Sequence, residues 1–315
     1  DTVKSDVYFG GTRINNNYRV FGNAEWRIFS PLVMNLGGTY EREDINDDVF
    51  SPRVAFTYLL TQQQSLRLVY AEAIRSPDLL EQRPNYIGKA TNIQTDNYLN
   101  LENGRYFAHQ TERRHLDHER IQSWEIGYYG SYLQQRLMLD IKLYRDHLSQ
   151  LIANATGIRD FNPSSDLEMN IDGVDAQVHW RPNVVHEFWW SGAYVNNRVN
   201  IGNVRNYSAD QIDSLSQIET RLSAEYSNNV NWIMRHNNLS LSQSYFWHNA
   251  YNGNRGKGRV YRRYEMSINK NWPISYGELS TGIFWHHIVN NEQFIYEDEQ
   301  IASNDIVLFK LGMQF

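Results

Sequence analysis

The sequence predicts an all-β protein: an antiparallel transmembrane β-barrel, with about 14 strands in this chain. Three observations carry that prediction. Many segments alternate apolar and polar residues with a period of two, which sorts the two kinds of side chain onto opposite faces of a strand. The connections between them alternate short and long. The last strand sets Val307, Phe309, Leu311, Met313 and Phe315 on one face, against Lys310, Gly312 and Gln314 on the other. In water such a strand is an aggregation hazard; in a bilayer its apolar row faces lipid and its backbone closes into a ring.

Composition agrees. The 315 residues suit a single barrel domain, residues 1–315, and the balance of 30 basic to 36 acidic side chains gives no electrostatic ground for nucleic acid. There is no cysteine, hence no disulfide framework and no thiolate chemistry. The 21 Tyr, 13 Phe and 9 Trp suit membrane interfaces, where a ring is apolar at one end and wet at the other. No apolar run reaches the roughly 20 residues of a membrane helix, which a barrel does not need. Asp1 to Asp6 lacks the apolar region of a signal peptide, so the chain reads as a mature product or a fragment.

Taken in order, a weak segment covers 6–14. In 18–28, Val20, Ala24, Trp26 and Ile28 oppose Glu25 and Arg27; in 33–42, Met34, Leu36 and Tyr40 oppose Asn35, Thr39 and Glu41. Residues 51–60 set Val54, Phe56, Tyr58 and Leu60 against Arg53, Ala55 and Thr57. Leu66, Leu68 and Tyr70 then oppose Arg67 and Ala71. A stretch from 74 to 120 has no clean period, is polar, and is long enough to be a functional loop. The alternation resumes with Trp124, Ile126 and Tyr128 against Glu125 and Gly127. It is clearest in Leu137, Leu139, Ile141 and Leu143 against Asp140, Lys142 and Tyr144. Further strands are predicted at 167–180, 184–198, 212–226, 233–248, 258–272, 276–293 and 303–315.

Short turns are expected near 29–32, 61–64, 133–135, 181–183, 227–232 and 273–275. Long loops are expected near 43–50, 74–120, 152–166, 199–211, 249–257 and 294–302. Short turns at one end and long loops at the other is the asymmetry of bacterial outer-membrane barrels, with the long loops outside. Charged residues crowd the rows opposite the apolar ones, among them Arg67, Glu125, Lys142, Asp175, Arg263 and Glu265. A soluble sandwich would bury one face and expose the other, and that inverted arrangement is the competing reading.

Several segments resemble TonB-dependent outer-membrane receptors. They are Ser51-Pro52-Arg53-Val54-Ala55-Phe56 and Leu66-Arg67-Leu68-Val69-Tyr70, the latter leading to Arg75-Ser76-Pro77. His118-Glu119-Arg120-Ile121-Gln122-Ser123-Trp124-Glu125-Ile126-Gly127-Tyr128, Leu143-Tyr144-Arg145-Asp146 and Asp172-Gly173-Val174-Asp175 follow. The aromatic terminus, with Phe309, Leu311, Met313 and Phe315, resembles the signal read by barrel-assembly machinery. The resemblance implies a 22-stranded receptor barrel filled by a plug, located in the outer membrane amid lipopolysaccharide. It implies import of a scarce nutrient, most often a ferric siderophore, driven by the TonB complex through an N-terminal segment. Against that pattern, the plug, the coupling segment and about eight strands are missing from this sequence.

The loop 74–120 is the candidate ligand-capture site, with Tyr86, Tyr98, Tyr106, His109, Arg113, Arg114 and His115. Arg and aromatic rings suit anionic, aromatic ligands. His115 and His118 would need a helix to converge on one metal ion, and no helix is expected there. Gly253 to Gly258 lacks the Ser/Thr and the helix of a phosphate loop. No catalytic set, metal site or cofactor is expected. The expectation is therefore that residues 1–315 are the C-terminal part of a receptor barrel, a component for TonB-dependent uptake; the alternatives are a self-contained 14-stranded passive channel and a soluble binding module.

Overall fold

A computed structural model describes residues 2–5, 11–82, 86–90, 106–110, 116–153, 164–201, 212, 223–250, 260–289 and 304–314. In chain order the strands are β1 (Thr2–Ser5), β2 (Gly11–Ile14), β3 (Asn17–Phe29), β4 (Leu32–Glu43), β5 (Val49–Thr61) and β6 (Gln64–Arg75). A one-turn helix, α1 (Leu79–Gln82), precedes β7 (Tyr86–Ala90), β8 (Tyr106–Gln110), β9 (Glu119–Tyr132), β10 (Leu137–Ala153) and β11 (Ser164–Trp180). The rest are β12 (His186–Ile201), β13 (Tyr226–His236), β14 (Leu239–His248), β15 (Tyr261–Ile274), β16 (Gly277–Ile288) and β17 (Asp305–Gln314).

Thirteen of these form one antiparallel sheet in which chain neighbours are spatial neighbours, from β3 at one edge to β17 at the other. The single skip is β6 to β9, and the β7–β8 hairpin forms its own small sheet within that connection. Among the described residues β1 and β2 pair only with each other, so the described part of the segment predicted at 6–14 adds no strand to the sheet. Among the described residues neither β3 nor β17 is paired on its outer side.

The register shows why the period-two pattern holds. Trp26, Met34, Phe56, Leu68, Ile126, Leu143, Val174 and Tyr194 are successive cross-strand partners, one apolar row over eight strands. One residue along, on the opposite face, Thr57, Arg67, Gly127, Lys142 and Asp175 form a polar row. A shift of one residue would send every charge into the apolar face, so the alternation itself fixes the register. Phe309 and Leu311 lie on the apolar face, 79% and 78% exposed, and Met313 continues the row; Phe315 lies outside the described residues. Near the short-turn end, Leu137, Trp180, Phe188 and Trp232 are cross-strand partners on the apolar face. Trp180 and Phe188 stack at 5.4 Å, as an interfacial aromatic belt requires.

The turns alternate as the pattern predicts, with one correction. The segment predicted as one strand over 233–248 is β13 and β14, folded back at Asn237-Asn238. Both asparagines have positive φ, 45° and 63°, the backbone of a type I′ hairpin turn, and Asn tolerates that region better than most residues. The tight turn expected at 227–232 is therefore strand. β12 pairs directly with β13, so no strand from 212–226 stands between them, and most of that stretch lies outside the described residues. Among the described residues the sheet has thirteen strands, against the roughly fourteen expected.

Candidate functional site

All the long connections leave one end of the sheet. There the Arg75-Ser76-Pro77 segment folds into a clamp. Asp78 caps α1: its side chain accepts from the Glu81 amide at 2.8 Å, and the Glu81 carboxylate accepts from the Asp78 amide at 2.7 Å. The Arg75 guanidinium donates to Glu81 at 3.0 Å and to Glu119 at 2.8 Å, tying β6 to β9. Pro77 is fully buried, and its carbonyl accepts from Asn46 Nδ2 at 3.0 Å. Gln82 is also buried; its amide donates to Asn46 Oδ1 at 2.9 Å and to the Leu116 carbonyl at 3.0 Å, and it accepts from the Leu116 amide at 3.1 Å. Both ends of the 83–115 segment are thus fastened to the rim by saturated polar groups, which lets a long connection leave the barrel at a fixed place.

Of the residues proposed in this loop, Tyr86 lies in β7, and Tyr106 and His109 in β8. Tyr86 is the backbone partner of Gln110, Ile87 of His109 and Ala90 of Tyr106, so one hairpin carries all three. Tyr98, Arg113, Arg114 and His115 lie outside the described residues.

A second cluster at the same end was not singled out from the sequence. On the polar face of β14, β15 and β16, Phe246 pairs with Arg263, His248 with Tyr261, and Glu265 with His286. The Arg263 guanidinium sits 5.4 Å from the Phe246 ring centre, and His248 and Tyr261 stack at 5.5 Å. Glu265 Oε1 lies 3.3 Å from Arg263 Nε, an ion pair without hydrogen-bond geometry, and 3.2 Å from His286 Nδ1. The sequence signal was present in the alternation Phe246-x-His248 and Tyr261-x-Arg263-x-Glu265. It became a site only when the register set those alternations side by side.

The inward charges partner one another across strands. Lys142 Nζ meets Asp175 at 2.7 Å, and Arg19 donates to Glu41 at 2.7 Å. A face with this many ion pairs belongs against water or a polar filling, with the apolar face against lipid.

Comparison with known proteins agrees with this geometry. The family model described as TonB dependent receptor-like, beta-barrel, matches residues 1–283. No curated protein matches. Among solved structures, the siderophore receptor PirA of Pseudomonas aeruginosa superposes with a TM-score of 0.65 at 12% identity, over 98% of this chain and 48% of that one. A mutant of the ferric enterobactin receptor PfeA of the same organism gives 0.63 at 13% identity, over 88% and 40%. The siderophore receptor PiuA of Acinetobacter baumannii gives 0.61 at 13%, over 85% and 38%. The chain spans less than half the length of each, and at these identities the likeness is one of fold. With the family model matching most of the chain, this protein belongs to the TonB-dependent receptor β-barrel family of the bacterial outer membrane.

Proposed function

We propose that this chain is the wall of a receptor that captures a ferric siderophore at the cell surface and passes it through the lumen, acting as a transporter component and not as an enzyme. The observation that supports this reading is the lumen-facing patch of Phe246, His248, Tyr261, Arg263 and His286 beneath the external loops, in which Glu265 lies between Arg263 and His286. A guanidinium and imidazoles among aromatic rings suit an anionic ligand with aromatic arms, such as a ferric catecholate. Three of the structural neighbours are themselves named as siderophore or ferric enterobactin receptors. Tyr86, Tyr106 and His109 of the β7–β8 hairpin, with Tyr98, Arg113, Arg114 and His115 of the same loop, complete the capture surface in this proposal.

Among the described residues the outer edges of β3 and β17 have no strand partner, and in lipid each needs one, because an open sheet leaves backbone groups unsatisfied there. A lumen-filling plug, the TonB complex, the barrel-assembly machinery reading Phe309, Leu311, Met313 and Phe315, and lipopolysaccharide around the rim are the partners of such a receptor. The test is binding of ferric enterobactin to the purified protein in detergent, for the wild type and for Arg263→Ala with Tyr261→Ala. Saturable binding weakened about tenfold or more in the variant supports the reading. Binding equal in both, or none in the wild type, removes it.

A further inference from the structure

The apolar face stops at one level on neighbouring strands. Counted toward the long loops, the side chains on that face of β10 are Leu139, Ile141 and Leu143, and then Arg145. On β11 they are Val178, Ala176 and Val174, and then Asp172. On β12 they are Trp190, Gly192 and Tyr194, and then Asn196 and Arg198. The register ties these limits together. Tyr70, Trp124, Arg145, Asp172 and Asn196 are successive cross-strand partners, one step beyond the apolar row of Leu68, Ile126, Leu143, Val174 and Tyr194. The Tyr70 and Trp124 rings lie 4.8 Å apart, and rings of this kind mark the level where hydrocarbon gives way to headgroups. The charges begin at that level, on the outer surface of the barrel and away from the lumen.

Those charges do not balance. The Asp172 carboxylate accepts from Arg145 Nε through one oxygen and from Arg198 Nη2 through the other. Among the described residues neither guanidinium has a second ion-pair partner, and Glu168, farther out on the same face of β11, pairs with neither. Asp172 keeps 24% of its side chain exposed, against 69% for Arg145 and 57% for Arg198. The carboxylate is therefore a half-buried post that holds two guanidinium groups from strands on either side of it. Arg145 spends its Nε on the post, so both of its terminal amino groups serve a further acceptor, and Arg198 spends one terminal amino group of its two. The neighbouring His147 Nδ1 meets Asn170 Oδ1 at 2.9 Å and adds no negative charge, while Glu72 is held by Arg120. One surplus positive charge stands at the edge of the hydrocarbon, where charge is costly unless an anion meets it.

We propose that Arg145 and Arg198, held by Asp172, form a binding site for a phosphate group of an outer-leaflet lipid, a lipopolysaccharide phosphate. Guanidinium groups match phosphate oxygens two bonds at a time, and two of them on one post present donors in a fixed arrangement. A lipid phosphate anchored by its own acyl chains lies at the level where the apolar row ends, so the site and its ligand meet without a search. The Leu143 and Val174 row beneath the triad takes the acyl chains, and the Trp124 ring, 54% exposed beside Arg145, faces the headgroup. This placement rests on the barrel reading of which face meets lipid and which end lies outside, and on nothing about the ligand captured in the lumen.

The experiment is native mass spectrometry of the folded protein, purified from outer membranes in detergent and titrated with diphosphorylated lipid A. Dephosphorylated lipid A is titrated in parallel, and inorganic phosphate and N-acetyl-tetraglutamate amide are added as competitors. Saturable binding of the phosphorylated lipid, about tenfold or more tighter than of the dephosphorylated one, is expected. Arg198→Gln keeps the Arg145–Asp172 pair and removes the surplus charge, so it should weaken that binding several-fold in a folded protein. Arg145→Gln with Arg198→Gln should weaken it by about tenfold or more. Arg67→Gln, on the opposite face, should leave it unchanged. Heat-modifiable migration on a gel certifies that each variant is folded. Equal binding of the two lipids, unchanged affinity in the folded Arg198→Gln variant, or an equal loss in Arg67→Gln overturns the proposal. Displacement of the lipid by free phosphate or by tetraglutamate overturns the lipid occupant. A wild type that stays folded without detergent would overturn the barrel reading instead, whereas a detergent-dependent barrel indifferent to the phosphates overturns this site alone. Ferric enterobactin binding stays at the wild-type value in Arg198→Gln, which separates this site from the one in the lumen.

Discussion

The Tyr144 ring occupies the space above Gly173 on the neighbouring strand, so closely that a Cβ on Gly173 would fall inside it. The next pair along is Arg145 and Asp172, an ion pair that Arg198 joins from β12. Two sequence segments 26 residues apart, Leu143-Tyr144-Arg145-Asp146 and Asp172-Gly173-Val174-Asp175, are therefore one object: a Tyr over a Gly on the polar face and an Arg on an Asp on the other. The glycine is required by the ring, not by a turn; aromatic rings cover strand glycines in this way elsewhere.

Gly173→Val should accordingly evict the Tyr144 ring and cost about 1–3 kcal/mol, the usual range for overpacking. Barrels unfold slowly and often irreversibly, so the measurement is the temperature at which the folded band is lost on a gel at fixed heating time. A lower temperature is expected for Gly173→Val, with partial recovery when Tyr144→Ala is added. If the double variant is no better than the single, the ring is not the reason for the glycine.

The Asn237-Asn238 turn gives a second prediction. Both residues sit at positive φ, where a Cβ-bearing side chain without local hydrogen bonding costs roughly 1–2 kcal/mol. Replacing both with Val should slow refolding into detergent and lower the temperature at which the folded band is lost. Asn238→Gly should be neutral or stabilising. Equal behaviour of the two variants would mean that β13 and β14 find their register without the turn.

That turn also shows how much of the fold the sequence carried and where it stopped. Strand faces were legible because lipid and lumen demand opposite side chains, and the register puts Trp26, Phe56, Ile126 and Leu143 in the row their alternation predicts. The turn at Asn237-Asn238 was missed although the apolar parity switches across it, from Trp232 and Met234 to Leu239 and Leu241, because Ile233 blurs the alternation before it and two polar residues in a mostly polar run do not announce a reversal. The clamp was legible only in part. Arg75-Ser76-Pro77 was recognisable, and Asp78-x-x-Glu81 is a capping box that could have been read as such. The bonds of Gln82 to Asn46 and Leu116, each more than 30 residues away in sequence, were beyond any local pattern.

Gln82 carries the third prediction. It is buried, makes three hydrogen bonds and holds the start of the 83–115 segment to its end. Gln82→Leu keeps the volume but strands the Leu116 amide and carbonyl, each worth about 1–3 kcal/mol when buried and unsatisfied. The expected outcome is faster trypsin cleavage within 83–115 in intact cells, at Lys89, Arg105, Arg113 or Arg114, with the barrel itself unchanged in heat modifiability. Arg75→Gln should act in the same direction, since its bonds to Glu81 and Glu119 fix the same corner. Unchanged cleavage in both would mean that the clamp is decorative.

The last prediction concerns the two faces of β17. Leu311 pairs with Thr281 on the apolar face and is 78% exposed on the protein, while Lys310 pairs with Gly282 on the polar face. The two are adjacent in sequence and differ only in which way the pleat sends them. If the apolar face meets lipid, Leu311→Arg places a charge in hydrocarbon, at about 2–4 kcal/mol near the midplane. Lys310→Leu removes a charge from a wet face and should cost little. Insertion into lipid vesicles, followed by the folded band on a gel, should therefore fail or slow for Leu311→Arg and proceed normally for Lys310→Leu. The inverted, soluble arrangement predicts the reverse sensitivity to solvent: Leu311→Arg would then disturb a dry protein core, and its defect would persist when no lipid or detergent is present. Folding of the wild type in plain buffer would decide for that arrangement, whereas a defect seen only on entry into lipid assigns the Leu311 row to the membrane.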